Sequence, residues 1–459
     1  MLAVAAFVVS MIALRLWALA PDNDWGSAGL LDSVRLLRGM PVYEDWRTGH
    51  PTWMYGPGNI WLFAGVFAVT GPSLWVAVAL SLLATVAAIA LCSSFLRPRL
   101  SGWWLVSAAL SFVLIEGKVL VFGSLRPDAI AFVFGLAGLG LCYRGGVTRS
   151  LLGGLLIMAA TLTKQVMLAS AVVPLFALIL EWQRPQARKV LVALIPLAMV
   201  AALFAVMRTD HLWWYYFVEL AGQYSGQINY RDFVFLAAGH LIAALPLWIS
   251  AIFLVWRGIE PDRGWWRLLR WTLAGSLVST AVGALAAAKF GGGVNSLMPA
   301  WFALVLLCWV VMIPVFDAAE TWGRGWVVQS GLLLAMLLFM LPRTAEVSWP
   351  LDRVLGGDRQ SYLELRQRVR ALPGGAMSPG DVWLTFAERG QMDRSVYLDL
   401  DVLKWPASLP ETLLETRYSA DHILIDDLRQ IEYLRLRERG YAQTWTSGRY
   451  GIWSRNRVL

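Results

Sequence analysis

Long apolar runs alternate with short polar segments through the first three quarters of the chain. The runs are long enough, or nearly long enough, to cross a hydrocarbon core of about 30 Å. This pattern predicts a polytopic α-helical membrane protein with about eleven transmembrane helices. The runs lie at 2–20, 73–95, 101–116, 127–143, 150–165, 167–182, 189–207, 233–256, 266–288, 295–315 and 324–341.

Basic residues in the connecting segments favour one topology. They occupy every second loop only if the apolar stretch 58–70, which is short for a span, stays on one side as an interfacial helix. The basic loops then face the cytoplasm, and loops 21–72, 116–126, 165–167, 208–232 and 289–294 face outward with the C-terminal tail. The basic loop residues are Arg97, Arg99, Arg144, Arg149, Arg184, Arg188, Lys189, Arg257, Arg263, Arg267 and Arg270.

Composition supports a membrane protein and excludes other classes. Of the 459 residues, 58% are hydrophobic and only 15% charged, which is too apolar for a soluble fold. The first run ends in Ala-Leu-Ala like a signal peptide, but it lacks a charged start and is expected to remain as a span. The net charge of +8 belongs almost entirely to residues 1–342, where it sets orientation, so nucleic acid is not an expected partner. The three cysteines fall inside apolar runs without metal or disulfide spacing.

The composition becomes that of a soluble protein after Pro342. Short apolar segments of strand length alternate there with helix-like stretches at 357–371 and 428–439. We therefore expect a transmembrane domain at 1–342 and a small extracytoplasmic α/β domain at 343–459. The strand-length segments lie at 381–386, 396–399, 422–426, 441–446 and 450–454.

The first outer loop is the longest polar segment of the membrane half and the richest in acidic and aromatic residues. Ser27 to Arg38 has a helical pattern, with Asp32 and Arg35 expected as a local pair on its wetter side. Asp24 follows the first span by only a few residues, which holds it near the membrane surface. A carboxylate there is suited to accept a proton from an acceptor hydroxyl.

Charged side chains also fall at the outward ends of later spans. Glu116, Arg126 and Asp128 lie at the mouths of two neighbouring spans, and Lys164 and Lys289 are isolated cations beside long apolar sequence. Such positions are typical of functional groups, although interfacial ion pairs or snorkelling to head groups would also place them there. The glycine triplet 291–293 beside Lys289 offers backbone N–H groups to a phosphate without the context of a nucleotide P-loop.

Several short motifs together resemble the GT-C superfamily of integral-membrane glycosyltransferases, which includes the protein O-mannosyltransferases and the aminoarabinose transferase of lipid A. The matching pieces are Asp24 after the first span, LLRGMPVYED, HPTWMYGPGNIWLF, FGSLRPDA, LTKQ and KFGGGVN, followed by a C-terminal outer domain. The resemblance covers nearly the whole chain.

The resemblance implies a polyprenyl-phosphate sugar donor, a glycan, lipid or protein acceptor, an outward active site and inversion at the sugar carbon. Asp24 takes the place of the family's first-loop acid, with Asp22 as its rival. Neither a nucleotide nor a metal is needed, because Lys and Arg can stabilise the departing phosphate. The donor-phosphate candidates are Lys289, Arg126 and Lys164, and the substrate-binding candidates are Asp45, His50, Tyr55, Glu116, Asp128 and Asn295.

Two other classes of function remain as alternatives. A transporter or flippase of a lipid-linked saccharide would place charges in mid-span and show related halves, whereas these charges gather at the outer span ends. A membrane assembly protein would use the outer domain to bind partners. For the glycosyltransferase we expect an integral protein of a bacterial inner membrane, surrounded by membrane lipids, with its active site in the periplasm.

Overall fold

A computed structural model gives the fold of the chain. It describes residues 24–52, 54–100, 102–114, 125, 127–181, 186–223, 228–242, 244–289, 294–323, 325–340 and 357–455, together with positions 6, 9, 10 and 13. The first predicted span and the predicted domain boundary near 342 therefore lie almost entirely outside the described residues.

The membrane half is a bundle of helices that follow the predicted apolar runs closely. Two helices precede the bundle in the first loop, α1 (Asp24–Leu37) and α2 (Gly58–Thr70). The bundle helices are α3 (Leu74–Leu96), α4 (Gly102–Val113), α5 (Asp128–Arg144), α6 (Val147–Thr163), α7 (Ala169–Ile179), α8 (Ala187–Met207), α9 (His211–Trp214), α10 (Leu220–Gln223), α11 (Tyr230–Ile242), α12 (Leu245–Arg257), α13 (Arg263–Ala288), α14 (Met298–Ala319) and α15 (Gly325–Met340).

Four described helices, α3, α8, α13 and α14, are long and apolar enough to cross a membrane. The pair α11 and α12, bent by 50°, would form a fifth span. The other apolar runs form shorter helices, so eleven spans remain a prediction. The most deeply buried helix is α14, which lies at the centre of the largest core cluster with Phe112, Phe132, Trp309 and Phe316.

The 13-residue helix α2 is about 20 Å long, which is less than the hydrocarbon core of a bilayer. It packs against α1 through Phe63 and Phe67, which meet Leu30 and Val34. The expected helix at Ser27–Arg38 is thus present as α1. Its ion pair of Asp32 with Arg35, 3.1 Å long, is also present, but both side chains are buried and not on a wet face.

The C-terminal residues form a four-stranded sheet covered by helices on both faces. The strands are β1 (Ala376–Met377), β2 (His422–Ile425), β3 (Tyr441–Ser447) and β4 (Tyr450–Arg455), in the order β1-β2-β4-β3. Only β1 and β2 are parallel. The helices are α16 (Asp358–Ala371), α17 (Val382–Arg389), α18 (Val396–Val402), α19 (Glu411–Arg417) and α20 (Arg429–Tyr433).

Alternation along β2 assigns its side chains to the two faces of this sheet. Leu424 packs with Tyr362 and Leu365 of α16, whereas Ile423 and Ile425 pack against α18. Gly448, with a φ of +57°, occupies the tight turn between β3 and β4, where a side chain would be strained. The sheet is therefore the middle layer of a small α/β unit, as expected.

Two of the five strand-length segments are helices, which corrects the prediction for 381–386 and 396–399. In α17, Trp383 and Phe386 reach α1 and α2 while Leu384 reaches the sheet, so the helix bridges two layers. In α18 the alternating sequence YLDLDV resembles a strand, but all seven residues of the helix are buried. Tertiary packing decided the conformation of both segments.

Candidate active site

Close backbone contacts bring the first loop to the mouths of α5 and α6. A Cβ built on Gly56 would lie 1.8 Å from the carbonyl oxygen of Leu162, and one on Gly58 would lie 2.6 Å from Thr163 Oγ1. A Cβ on Gly26, near the start of α1, would lie 2.7 Å from Leu125 Cβ. Only glycine fits at these three positions, so the spacing of small residues in the loop sets where it docks.

A buried ion pair lies at this docking point. Lys164 Nζ, at the end of α6, donates to Asp128 Oδ1, at the start of α5, and both side chains are at most 4% exposed. The ring of Tyr55 lies 5.6 Å from Lys164 Nζ, a distance suited to a cation–π contact. The candidate residues Lys164, Asp128 and Tyr55 therefore meet in one place.

The segment that carries Tyr55 is held on both sides. The carbonyl oxygen of Tyr55 accepts a hydrogen bond from Tyr43 Oη at 3.1 Å. Gln165 Nε2 donates to the carbonyl oxygens of Met54, at 2.5 Å, and Phe217, at 3.2 Å. These bonds fix the loop beside the ion pair.

Lys289 follows the last residue of α13 at the same end of the bundle. Its backbone pairs with Ile228 in an isolated β-bridge. Burial lowers the pKa of Lys289; the positive charge of Lys164 lowers it further, and the carboxylate of Asp401 in α18 raises it. Two lysines and one acid of the C-terminal unit thus share one electrostatic environment.

Several sequence candidates are only partly visible or lie outside the described residues. Asp24 is the first residue of α1, but its side chain is outside the described part. Asn295 belongs to a 3₁₀ turn, Val294–Leu297, and its side chain is likewise outside it. Asp22, Glu116, Arg126 and the glycine triplet are not among the described residues. Their roles remain predictions.

A charged network connects α1 to the polar part of the loop. The buried Arg35 binds Asp32 and donates to Glu44 Oε1 at 2.5 Å, while Glu44 Oε2 accepts the backbone N–H of His50 at 2.9 Å. Burial lowers the pKa of His50 to about 3, and the positive charges of Arg35, Arg394 and Arg417 act in the same direction. The imidazole is therefore neutral at physiological pH.

Asp45 has a local role in this network. Its Oδ1 accepts the N–H of Arg47 at 3.0 Å, and its carbonyl oxygen accepts the N–H of Gly49 at 2.7 Å. The residue is exposed. Among the described contacts, Asp45 shapes a turn at 45–49, which we call the loop turn, and does not reach the lysines.

The C-terminal unit holds the loop turn through an arginine. Arg394 donates to the carbonyl oxygens of Gly49 and of Trp46, the latter at 2.9 Å. Its guanidinium is itself fixed by two bonds to Asp399, at 2.5 and 2.6 Å. A second arginine, Arg417, donates to the carbonyl oxygen of Thr48 at 2.7 Å.

Sequence reasoning missed Arg394, Asp399 and Asp401. The available signal was the occurrence of three acids and one arginine within the otherwise apolar stretch MDRSVYLDLDV. Buried charges require partners, so such a stretch indicates an internal ion pair. The contact between Arg394 and the loop turn could not be predicted from that stretch, because the loop turn lies far away in the sequence.

At this end of the bundle, the described charged groups are two lysines and the carboxylates near them. The described residues contain no group of three or more His, Cys, Asp or Glu side chains arranged to hold a metal ion. Lys164 is buried and Lys289 is half-buried. Ammonium groups of this kind are suited to the negative charge of a phosphate.

Comparison with known proteins identifies the fold. No family model matches the sequence, and no curated protein matches it. ArnT from Cupriavidus metallidurans, in a crystal structure bound to undecaprenyl phosphate, aligns over 99% of this chain and 98% of its own, with a TM-score of 0.56 and 13% identity.

Two structures of the oligosaccharyltransferase of Archaeoglobus fulgidus are also similar. AglB in complex with an inhibitory peptide and a dolichol-phosphate aligns over 99% of this chain and 74% of its own, with a TM-score of 0.50 and 10% identity. The enzyme tethered to an acceptor peptide aligns over 97% and 73%, with a TM-score of 0.51 and 11% identity. The chain has the fold of the GT-C membrane glycosyltransferases.

Proposed function

We propose that the protein transfers a sugar from a polyprenyl-phosphate donor to an acceptor at the outer face of a membrane, with inversion at the sugar carbon. The observation that carries the proposal is the meeting of Lys164, Asp128, Tyr55 and Lys289 under the first loop of a GT-C fold. Two of the similar structures contain undecaprenyl phosphate or dolichol-phosphate, which are ligands of the proposed kind.

Lys289 is the first candidate for the donor phosphate. It makes no ion pair with the described residues, so its charge is available to a ligand. Lys164 is paired with Asp128 and contributes a fixed positive charge near that phosphate. As the bond between the sugar and the phosphate breaks, negative charge grows on the leaving phosphate, and both ammonium groups stabilise it.

Asp24 is the proposed general base, with Asp22 as the alternative. It stands at the first turn of α1, whose Gly26 contacts Leu125 beside the α5 mouth. From there its carboxylate would take the proton of an acceptor hydroxyl as that oxygen attacks the sugar carbon from the side opposite the phosphate. Attack from that side inverts the configuration of the carbon.

The test is transfer of label from a panel of radiolabelled polyprenyl-phosphate sugars in membranes that contain one variant each. Wild type, Asp24→Asn and Lys289→Gln are compared with Asp232→Asn, an exposed acid of α11 that serves as a matched Asp-to-Asn control. We expect Asp24→Asn and Lys289→Gln each to reduce transfer by at least about a hundredfold, because each loses a group used in the transition state. The control should retain wild-type transfer.

The outcomes separate the alternatives. Retained transfer in Asp24→Asn with loss in Asp22→Asn would move the base to Asp22. Retained transfer in Lys289→Gln would contradict the phosphate role of Lys289. Movement of the labelled lipid across the membrane without transfer to any acceptor would overturn the enzyme and favour a flippase.

A further inference from the structure

A cavity lies at the opposite end of the bundle from the two lysines. It has a volume of about 470 Å³ and lies between α5, α6, α7, α8 and α13. Arg267 of α13 lines it, and 22 residues of helix, about 33 Å, separate Arg267 from Lys289. That length spans a hydrocarbon core of about 30 Å, so the cavity faces the other leaflet.

The rim of this cavity is basic. Four of its described lining residues are cationic, namely Arg188, Lys189, Arg267 and Arg270. Glu181 is the acidic residue of the described lining, and its carboxylate pairs with Lys189 Nζ at 3.0 Å. Arg267 is held by the carbonyl oxygen and the ring of Tyr143. Within the described part of the chain, Arg188 and Arg270 make no hydrogen bond or ion pair, which leaves two cations for a ligand.

Backbone groups add to the positive potential. Gly146 and Gln186 are the N-cap residues of α6 and α8, and both line the cavity. These helices have 17 and 21 residues, and the free N–H groups of their first turns carry partial positive charge. No acidic residue lies in the first turn of either helix. The rim therefore attracts a single concentrated negative charge.

The wall below the rim is apolar. It is formed by Pro174, Ala177 and Leu178 of α7 together with Val192 and Ala193 of α8. The small side chains of Ala177 and Ala193 line it from the two helices, and we call this apolar wall the furrow. A free phosphate ion would use the rim alone, whereas an amphiphile with an anionic head would use both surfaces.

We propose that this cavity binds an anionic phospholipid of the leaflet at the basic end of the bundle. The headgroup phosphate binds Arg188 and Arg270 at the rim, and an acyl chain lies along the furrow between α7 and α8. Basic pockets between transmembrane helices on the positively charged side suit such head groups. The site is separate from the proposed donor site and does not depend on it.

The test is native mass spectrometry of the purified, delipidated full chain after addition of dioleoyl phosphatidylglycerol, dioleoyl phosphatidylcholine or sn-glycerol 3-phosphate. The test variant is Arg188→Gln/Arg270→Gln. The matched control is Arg97→Gln/Arg263→Gln, which removes the same charge from exposed positions of the same face outside the cavity. Transfer activity is not part of the readout.

We expect the wild type to retain phosphatidylglycerol in preference to phosphatidylcholine. The test variant should weaken phosphatidylglycerol binding by roughly thirtyfold, because two cations that each attract an anionic head are lost. The control variant should bind like the wild type.

Three results would overturn the proposal. Equal retention of the two lipids would show that the rim does not select charge. Equal weakening in the two double variants would show a delocalised surface effect. Binding of sn-glycerol 3-phosphate as tightly as phosphatidylglycerol would make the cavity a site for a free phosphate ester, since the furrow would then contribute nothing.

Discussion

The two ends of the helical bundle differ in how deeply most of their cations are buried. At the loop end, Lys164 and Arg35 are buried, and each is paired with at least one acid. At the basic end, Arg188 is exposed and Arg270 half-buried, without an ion pair in the described part of the chain, and the pair of Arg99 with Asp262 is largely exposed.

Burial decides what such charges can do. A buried cation with a fixed partner holds its position and acts in a medium of low dielectric constant, where it influences a nearby phosphate strongly. An exposed cation is screened by water and salt, and it binds only in combination with other cations or an apolar surface. This difference in burial agrees with the proposed transfer site at the loop end and with the proposed lipid site at the basic end.

The largest effect is expected from Lys164→Met. It removes the ammonium group that faces the buried carboxylate of Asp128, so we expect a loss of about 3–5 kcal/mol in the free energy of unfolding. Unfolding in detergent, followed by intrinsic tryptophan fluorescence, measures it. The double variant Lys164→Met/Asp128→Leu should recover most of the stability but none of the transfer activity. A stable single variant would show that the pair is not desolvated.

Arg394→Ala should lower the free energy of unfolding by about 3 kcal/mol, because Asp399 and the carbonyl oxygens of the loop turn lose this buried donor. Trypsin cleavage after Arg47 in the loop turn should become faster. Arg417→Ala, which removes one bond from a more exposed arginine, is the matched comparison and should change cleavage little. Equal cleavage rates in the two variants would contradict the role of Arg394.

The raised pKa of Asp381 predicts that the stability of the protein falls as the pH rises. Its burial, together with the neighbouring charge of Asp426, raises the pKa of Asp381 to about 7, above its value of about 4 in an unfolded chain. The folded state therefore binds the proton more tightly, and this stabilisation is complete below pH 4 and lost as the pH rises through 7. Asp381→Asn should match the wild type near pH 4 and exceed its melting temperature at pH 8.

The lowered pKa of His50 predicts the opposite, namely a contribution to stability that increases as the pH rises. Because its pKa is lowered to about 3, an unfolded chain binds the proton more tightly, and the stabilisation is present above about pH 6.5 and lost as the pH falls towards 3. His50→Gln should reduce the difference in melting temperature between pH 7 and pH 5. An unchanged difference would show that the pKa of His50 is not lowered by its burial and by the arginines around it.

The smallest effect is expected at the exposed pair of the basic end. Arg99→Gln/Asp262→Asn should lower the free energy of unfolding far less than Lys164→Met, because water competes for both partners. The same detergent unfolding experiment as for Lys164→Met provides the direct comparison. A loss as large as that of Lys164→Met would remove the distinction between the two ends.

Local patterns were sufficient for much of the fold. Apolar length located the bundle helices, the period of 3.6 located α1, and alternation located β2, β3 and β4. The apolar pattern wrongly predicted strands where the structure has α17 and α18. Residues there contact two layers at once, and the apolar positions no longer follow one face. Lys164 and Lys289 were singled out because an isolated cation beside apolar sequence is rare; their role in binding a phosphate stays a prediction.

The sequence by itself determined that this chain enters a membrane, which end of its helices is basic, and which lysines stand at the other end, because these depend on composition and spacing along one segment. Only the tertiary structure decided that Lys164 pairs with Asp128, that glycines 56 and 58 seat Tyr55 beside them, and that Arg394 holds the loop turn from 345 residues away. Such contacts join segments far apart in sequence, and only the packing of the whole chain brings them together.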